Sequence, residues 1–309
     1  MQDIFKVKFR GVRGSIPVPG KNTLKYGGNT TCLEVRVADH LIIIDAGTGI
    51  ISLGNEMMGQ FMSQDEKTRN EKPMKATMLF THTHLDHVIG LPFFTPVFIG
   101  SSRLNMFGGM YYDKDFKDSI AQSMHSPLFP VEFDKLPALI DVKNIRETEV
   151  IVLKEGQEKP EVHNVFRPET TLTDDDIKIF THQSYAHPCN GVLVYRIEYK
   201  GKKLVFATDI EGYKNPDTRL VKFAKDVDVL IHDAQYTETE YNMTQGFGHS
   251  TIDMALDVAR SANVKNLYLF HHDPRHTDEI LDQIHDYAKA LFAPTKMAIE
   301  DLEVDMLAA

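Results

Sequence analysis

The strongest constraint on this chain is the run Thr81-His82-Thr83-His84-Leu85-Asp86-His87, which follows an apolar, strand-like stretch from Ala76 to Phe80. Three imidazoles and one carboxylate fall within six positions. Side chains alternate along an extended segment, so His82, His84 and Asp86 are expected on one side, with a turn bringing His87 round. That makes two neighbouring clusters of nitrogen and oxygen donors, the set zinc accepts, with room for a second metal. A polar loop of solvated histidines is the competing explanation, and the HxHxDH spacing is too restrictive to favour it.

The other ligand types lie at the ends of later apolar runs. Asp209 closes Leu204-Val205-Phe206-Ala207, where a carboxylate could bridge two metals. His271 closes Tyr268-Leu269-Phe270, and His187 stands just before the strand expected from Gly191. Loops gather at strand ends, and sites form there. His272 competes with His271 for the last position. Cys189, near His187, reads as a small packed residue and not as a ligand.

At 309 residues with 42% hydrophobic content, the chain can hold one large core. No apolar run is long enough for a bilayer, and Met1 to Lys6 lacks a signal-peptide core, so a cytoplasmic protein is expected. Two distant cysteines, Cys32 and Cys189, argue against a disulfide framework. The net charge of -10 leans against a large nucleic-acid partner, which would call for a basic stripe. Lys200-Gly201-Lys202-Lys203 reads as a hairpin turn between strands.

Strands are expected over Phe5–Phe9, Thr31–Val37, Leu41–Asp45, Ile177–Thr181, Gly191–Tyr199, Lys203–Ala207, Val227–Ile231 and Leu267–Phe270. Helices are expected after Gly49 and over Asp217–Lys225, Thr251–Ala262 (capped by Ser250) and Thr277–Leu291. Ser63 to Pro73 reads as a mobile surface loop. Residues 91–172, rich in proline and with little clean alternation beyond Arg103–Phe107 and Val150–Leu153, read as a functional insertion or lid with some structure, within a single domain spanning 1–309.

With these residues in view, the chain resembles the metallo-β-lactamase-fold hydrolases, and most closely their phosphodiesterase branch, which includes ribonuclease Z and bacterial cyclic-phosphate phosphodiesterases. The resemblance runs through Gly11-Val12-Arg13-Gly14-Ser15, Tyr26 to Cys32, Asp45-Ala46-Gly47-Thr48-Gly49, the histidine motif, His187, Thr208-Asp209, Leu230-Ile231-His232-Asp233-Ala234, Gly248-His249-Ser250-Thr251 and His271. It implies an α/β (α+β) fold, a four-layer αββα sandwich with the metals at one edge. It also implies that one metal takes His82, His84 and His187, the other Asp86, His87 and His271, with Asp209 bridging. The ions would be two divalent cations, zinc first, with manganese or iron accepted by the same ligands. A histidine at position 84, where flavin-linked di-iron relatives carry a carboxylate, favours hydrolysis over redox chemistry.

The chemistry this implies is attack on phosphorus by a metal-bridging hydroxide oriented by Asp86. His249 would donate to the leaving alkoxide, held by the Asp233 carboxylate. Relatives that mature transfer RNA often carry a protruding arm between the third histidine and the bridging aspartate. Here 22 positions separate His187 from Asp209, enough only for a hairpin. The expected substrate is therefore a cyclic nucleotide or other small phosphodiester. The alternatives are a ribonuclease Z-type RNA endonuclease, a lactone or thioester hydrolase, and a non-catalytic metal sensor. Such relatives are often homodimers whose partner completes the pocket.

Overall fold

The computed structural model describes residues 3–110, 114–167 and 172–308. Its strands, in chain order, are β1 (Phe5–Gly11), β2 (Cys32–Val37), β3 (His40–Ile44), β4 (Lys75–Leu79), β5 (Arg103–Gly108), β6 (Leu139–Asn144), β7 (Glu149–Leu153), β8 (Glu161–Asn164), β9 (Ile177–Ser184), β10 (Val192–Tyr199), β11 (Lys202–Ala207), β12 (Val229–Asp233), β13 (Asn266–Phe270), β14 (Thr295–Met297) and β15 (Glu303–Asp305). They form two sheets, ordered β15-β1-β2-β3-β4-β5-β6 and β14-β13-β12-β11-β10-β9-β7-β8.

The run Leu41-Ile42-Ile43-Ile44 shows why these strands are continuously apolar. Ile42 and Ile44 face the opposite sheet, packing in one cluster with Phe9, Leu79, Phe206 and Phe270. Ile43 faces outward, against Leu53 and Phe61 of the helix Ile50–Met62. The second sheet repeats the pattern, with Leu204 and Phe206 inward and Val205 and Ala207 outward, toward Leu256 of the helix Ile252–Ser261 and Leu281 of the helix Asp278–Leu291. Strands covered on both faces cannot alternate apolar with polar. Helix, sheet, sheet and helix make the expected four-layer αββα sandwich.

Two local expectations fail. Ser63 to Pro73 contains a helix, Glu66–Glu71, because Asp65 caps it by accepting from Thr68 N at 2.9 Å. The helix Ile252–Ser261 is capped by Thr251, which accepts from Met254 N, while the Ser250 hydroxyl donates to Ile210 O at 2.6 Å. Segment 91–172, of which 111–113 and 168–171 lie outside the described residues, is largely built into the sandwich. β5 and β6 extend the first sheet and β7 and β8 close the second. Proline and short strands hid that regularity. Among the described residues, no helix is long and apolar enough to cross a membrane.

Candidate metal centre

β4 stops at Leu79, and His82 and His84 follow outside any strand, with His84 in extended backbone at φ -64° and ψ 155°. The chain then turns into a single helical turn, Leu85–Val88, closed by Ile89 N donating to Leu85 O at 2.8 Å. Asp86 therefore parts from His82 and His84 and joins His87, because the alternation ends one residue earlier than the sequence pattern suggests. From the other sheet, parallel strands β11, β12 and β13 deliver Asp209, Asp233 and His271 at the same ends. His187 comes from the β9–β10 loop and His249 from the loop before the helix Ile252–Ser261.

Among the described residues four donor groups have their ligand atoms within 4.8 Å of one another: His249 joins His187 and Asp209 in one and Asp233 and His271 in another, and the two without it are His82, His84 and His187, and Asp86, His87, Asp209 and His271. Asp209 stands between them. Its Oδ2 lies 3.2 Å from His87 Nε2 and 3.3 Å from His271 Nε2, and its Oδ1 lies 3.8 Å from His82 Nε2 and 3.9 Å from His187 Nε2. His272 faces the other way, its Nε2 donating to Ala298 O at 2.9 Å. Neighbours at the end of a strand point to opposite faces, which separates the two candidates for the last position.

The inward nitrogens are fixed by partners behind them. His87 Nδ1 donates to Asp45 Oδ2 at 2.9 Å, His187 Nδ1 to Gly248 O at 2.9 Å and His271 Nδ1 to Gln235 Oε1 at 2.8 Å. Each bond leaves Nε2 as a lone-pair donor toward the centre. His82 Nε2 and His87 Nε2 are buried without a hydrogen-bond partner. Buried polar atoms are seldom left so. Orphaned imidazole nitrogens beside Asp86 and Asp209 fit divalent cations, held by nitrogen and oxygen donors. Burial would raise the Asp209 carboxyl, but the His271, His87 and His82 imidazoles outweigh it and hold Asp209 well below the usual carboxylate range.

His249 lies beside this set, its Nδ1 donating to Asp233 Oδ2 at 2.8 Å. Burial alone would lower its pKa. The charge and hydrogen bond of Asp233, with Asp209 and Asp86 behind, raise it to about 9. Asp45 and Gln235 take part without having been singled out in the sequence. Asp45 had a usable signal, since it ends β3 as Asp209 ends β11; Gln235 had none. Cys189 is exposed at φ 70°, not packed, because it sits in the turn before β10.

Asp45, Asp209 and His271 also share a backbone state, with φ of 61°, 56° and 63°. Outside glycine that left-handed conformation is uncommon. Gly248 reaches φ 93°, and a Cβ there would stand 2.2 Å from His187 Nδ1. Gly248→Ala is therefore expected to displace His187 and weaken zinc binding about 10- to 100-fold, in the range seen when a ligand's outer partner is lost. Chelator competition would read this.

Residues 40–272 match the model of the Beta-lactamase superfamily domain. The chain belongs to that superfamily. Among its relatives, Ribonuclease Z of Picrophilus torridus is 27% identical over 99% of this chain and 97% of its own length. Such similarity bears out the resemblance to the phosphodiesterase branch. Solved structures with the same superfamily fold include the metallo-beta-lactamase fold protein YhfI from Bacillus subtilis (TM-score 0.62, 19% identity, 98% of this chain and 100% of that one). A diphosphatase from the PhnP family gives TM-score 0.61 at 16% identity, covering 97% of each chain. Human tRNase Z, short form, gives 0.61 at 18% identity, covering 97% of this chain and 99% of that one.

Proposed function

We propose that this superfamily member is a dinuclear metal-dependent phosphodiesterase acting on a small phosphodiester, a cyclic nucleotide first among them. The observation that carries this is His249, held by Asp233 at 2.8 Å beside the two donor groups. A hydrolase of weakly basic leaving groups would not need that pair.

In this scheme one divalent cation would be held by His82, His84 and His187 and the other by Asp86, His87 and His271, with Asp209 available to both. When bound, such ions lower the pKa of a water and neutralise phosphate charge. Zinc suits the donors best, with manganese and iron as the alternatives. The side chains supply the rest. Asp86, which accepts from Ser15 N at 2.8 Å, orients the attacking oxygen, which would give one proton of its water to solvent and form the new P–O bond as hydroxide. The P–O bond to the leaving group breaks in line, and His249 passes its proton from Nε2 to the departing oxygen. Asp233 keeps the His249 proton on Nδ1 and stabilises the charged imidazole.

The size of the substrate is argued from the neighbourhood. β10 and β11 close through a two-residue turn, Lys200 at φ 48° and Gly201 at φ 73°, the hairpin geometry that suits strand twist. That hairpin is the whole connection between His187 and Asp209 apart from the Pro188–Gly191 turn, so no arm rises there to grip a large RNA. Beside His84, the side chains of Lys114, Ser119, Gln122 and Ser123 join Thr83 and Leu85 around a cavity of about 340 Å³. This part of 91–172 serves as a lid over a small-molecule site. RNA endonuclease activity is the second reading, favoured by full-length similarity to ribonuclease Z.

The test is turnover by the zinc-loaded protein of bis(p-nitrophenyl) phosphate, of 3′,5′- and 2′,3′-cyclic nucleotides, and of a precursor transfer RNA. Cleavage of the cyclic nucleotides that stops with chelator and returns with zinc is expected. Cleavage of the RNA alone would replace the substrate with RNA. No phosphodiester cleavage by a fully loaded protein would overturn the proposal.

A further inference from the structure

We propose that Glu211 is a positioning residue that locks the three loops carrying Asp209, His187 and His249 into one geometry. The proposal rests in part on the phosphodiesterase reading, through His249.

Glu211 follows Asp209 by two positions and is buried, 4% exposed. Its backbone N–H donates to Ala186 O at 2.8 Å, the residue before His187. Its carboxylate crosses to the third loop: Oε1 accepts from Gly246 N at 2.7 Å and from the Tyr241 hydroxyl at 2.7 Å, and Oε2 accepts from Gly248 N at 3.0 Å. Both ends of the Gly246–Gly248 loop thus hang on one carboxylate. Gly248 then does two things for the centre. Its carbonyl holds His187 Nδ1 at 2.9 Å, and its peptide leads directly into His249. Gly246 and Gly248 have φ of 90° and 93°, so the loop is in a conformation a free chain has no strong reason to keep.

A carboxylate at 211 is a specific requirement. Both backbone partners are N–H donors, and both oxygens must accept. An amide offers one oxygen, so Glu211→Gln leaves either Gly246 N or Gly248 N facing an NH₂ group inside the protein. The loop would then shift, taking with it the acceptor of His187 Nδ1 and the His249 ring. The Glu211 carboxylate bonds to Gly246, Gly248 and Tyr241 and not to a candidate ligand atom, so its effect travels through His187 and His249.

The experiment compares Glu211→Gln with the wild type in two readouts. The first is zinc affinity by chelator competition, which needs no turnover. The second is the ratio of rates on a 2′,3′-cyclic nucleotide, with its strongly basic leaving oxygen, and on bis(p-nitrophenyl) phosphate, whose leaving group needs little proton donation. Zinc binding about 10- to 100-fold weaker is expected, as for other outer partners of metal ligands. The cyclic nucleotide rate should fall at least about tenfold more than the aryl ester rate, because misplacing His249 matters only where a proton is needed. A general loosening of the fold would lower both rates together. Unchanged zinc affinity with equal rate losses would overturn the proposal. If the wild type cleaves neither ester, the phosphodiesterase reading falls, and the zinc readout still decides Glu211. Should Glu211→Gln not fold, Glu211→Asp keeps the charge but is one methylene too short to reach both N–H groups, and the same readouts apply to it. Failure of both variants to fold would make Glu211 a residue of the fold alone and overturn the proposal.

Discussion

Asp209→Ala is expected to release the zinc from both donor groups and to lower turnover about 10³-fold or more, because this one carboxylate stands between them. The Oδ2 contacts of 3.2 and 3.3 Å reach His87 and His271, and Oδ1 faces His82 and His187. Without it, the two groups keep three side chains each but lose the charge they share. Zinc per chain by atomic emission, measured beside turnover, tests this directly. Retention of two zinc ions by the variant would show that Asp209 bridges nothing. His84→Ala should act differently, stripping the His82–His84–His187 group first, since His84 belongs to that group and not to the one formed by Asp86, His87, Asp209 and His271.

His249→Ala should separate binding from chemistry. The ring stacks on His271 with centroids 4.9 Å apart, and it donates to Asp233, yet no ligand leans on it for its own tautomer. Zinc content is therefore expected to stay at the wild-type level while cyclic nucleotide cleavage falls about 10²- to 10⁴-fold, the usual contribution of a positioned acid. A good aryl leaving group should narrow that loss. Unchanged rates on the cyclic nucleotide would remove His249 from the reaction and leave the donor groups unaffected.

The sequence exposed the candidate ligands because each is a polar residue placed where apolar patterning stops. HxHxDH follows β4, Asp209 follows β11 and His271 follows β13, and a strand buried on both faces makes its own end conspicuous. The four-layer architecture was legible for the same reason, with the family resemblance supplying the order of layers. What stayed hidden were contacts between loops at the ends of neighbouring strands of the second sheet. Gln235 supports His271 from 36 positions away, and Glu211 supports a loop 35 to 37 positions downstream. Neither has a local pattern. The face taken by Asp86 was misread because alternation describes a strand, and the chain had already turned into a helix at Leu85. Within 91–172, β5 and β7 showed in the alternation at Arg103–Phe107 and Val150–Leu153, whereas β6 was obscured by its exposure: it alternates between exposed and half-buried residues and never presents an apolar run.

The left-handed backbone at Asp45, Asp209 and His271 has a consequence for how this centre can change. Each position holds a side chain in a conformation that costs about 1 kcal/mol or more and that asparagine or glycine would occupy more easily. Glycine would relax the backbone there, yet at position 45 it would leave Thr81 and His87 without the carboxylate oxygens they reach at 2.8 to 2.9 Å. At Asp45, then, the hydrogen bonds of the side chain offset the strain of its own backbone, and the double-sided core of the sandwich holds the two in place together.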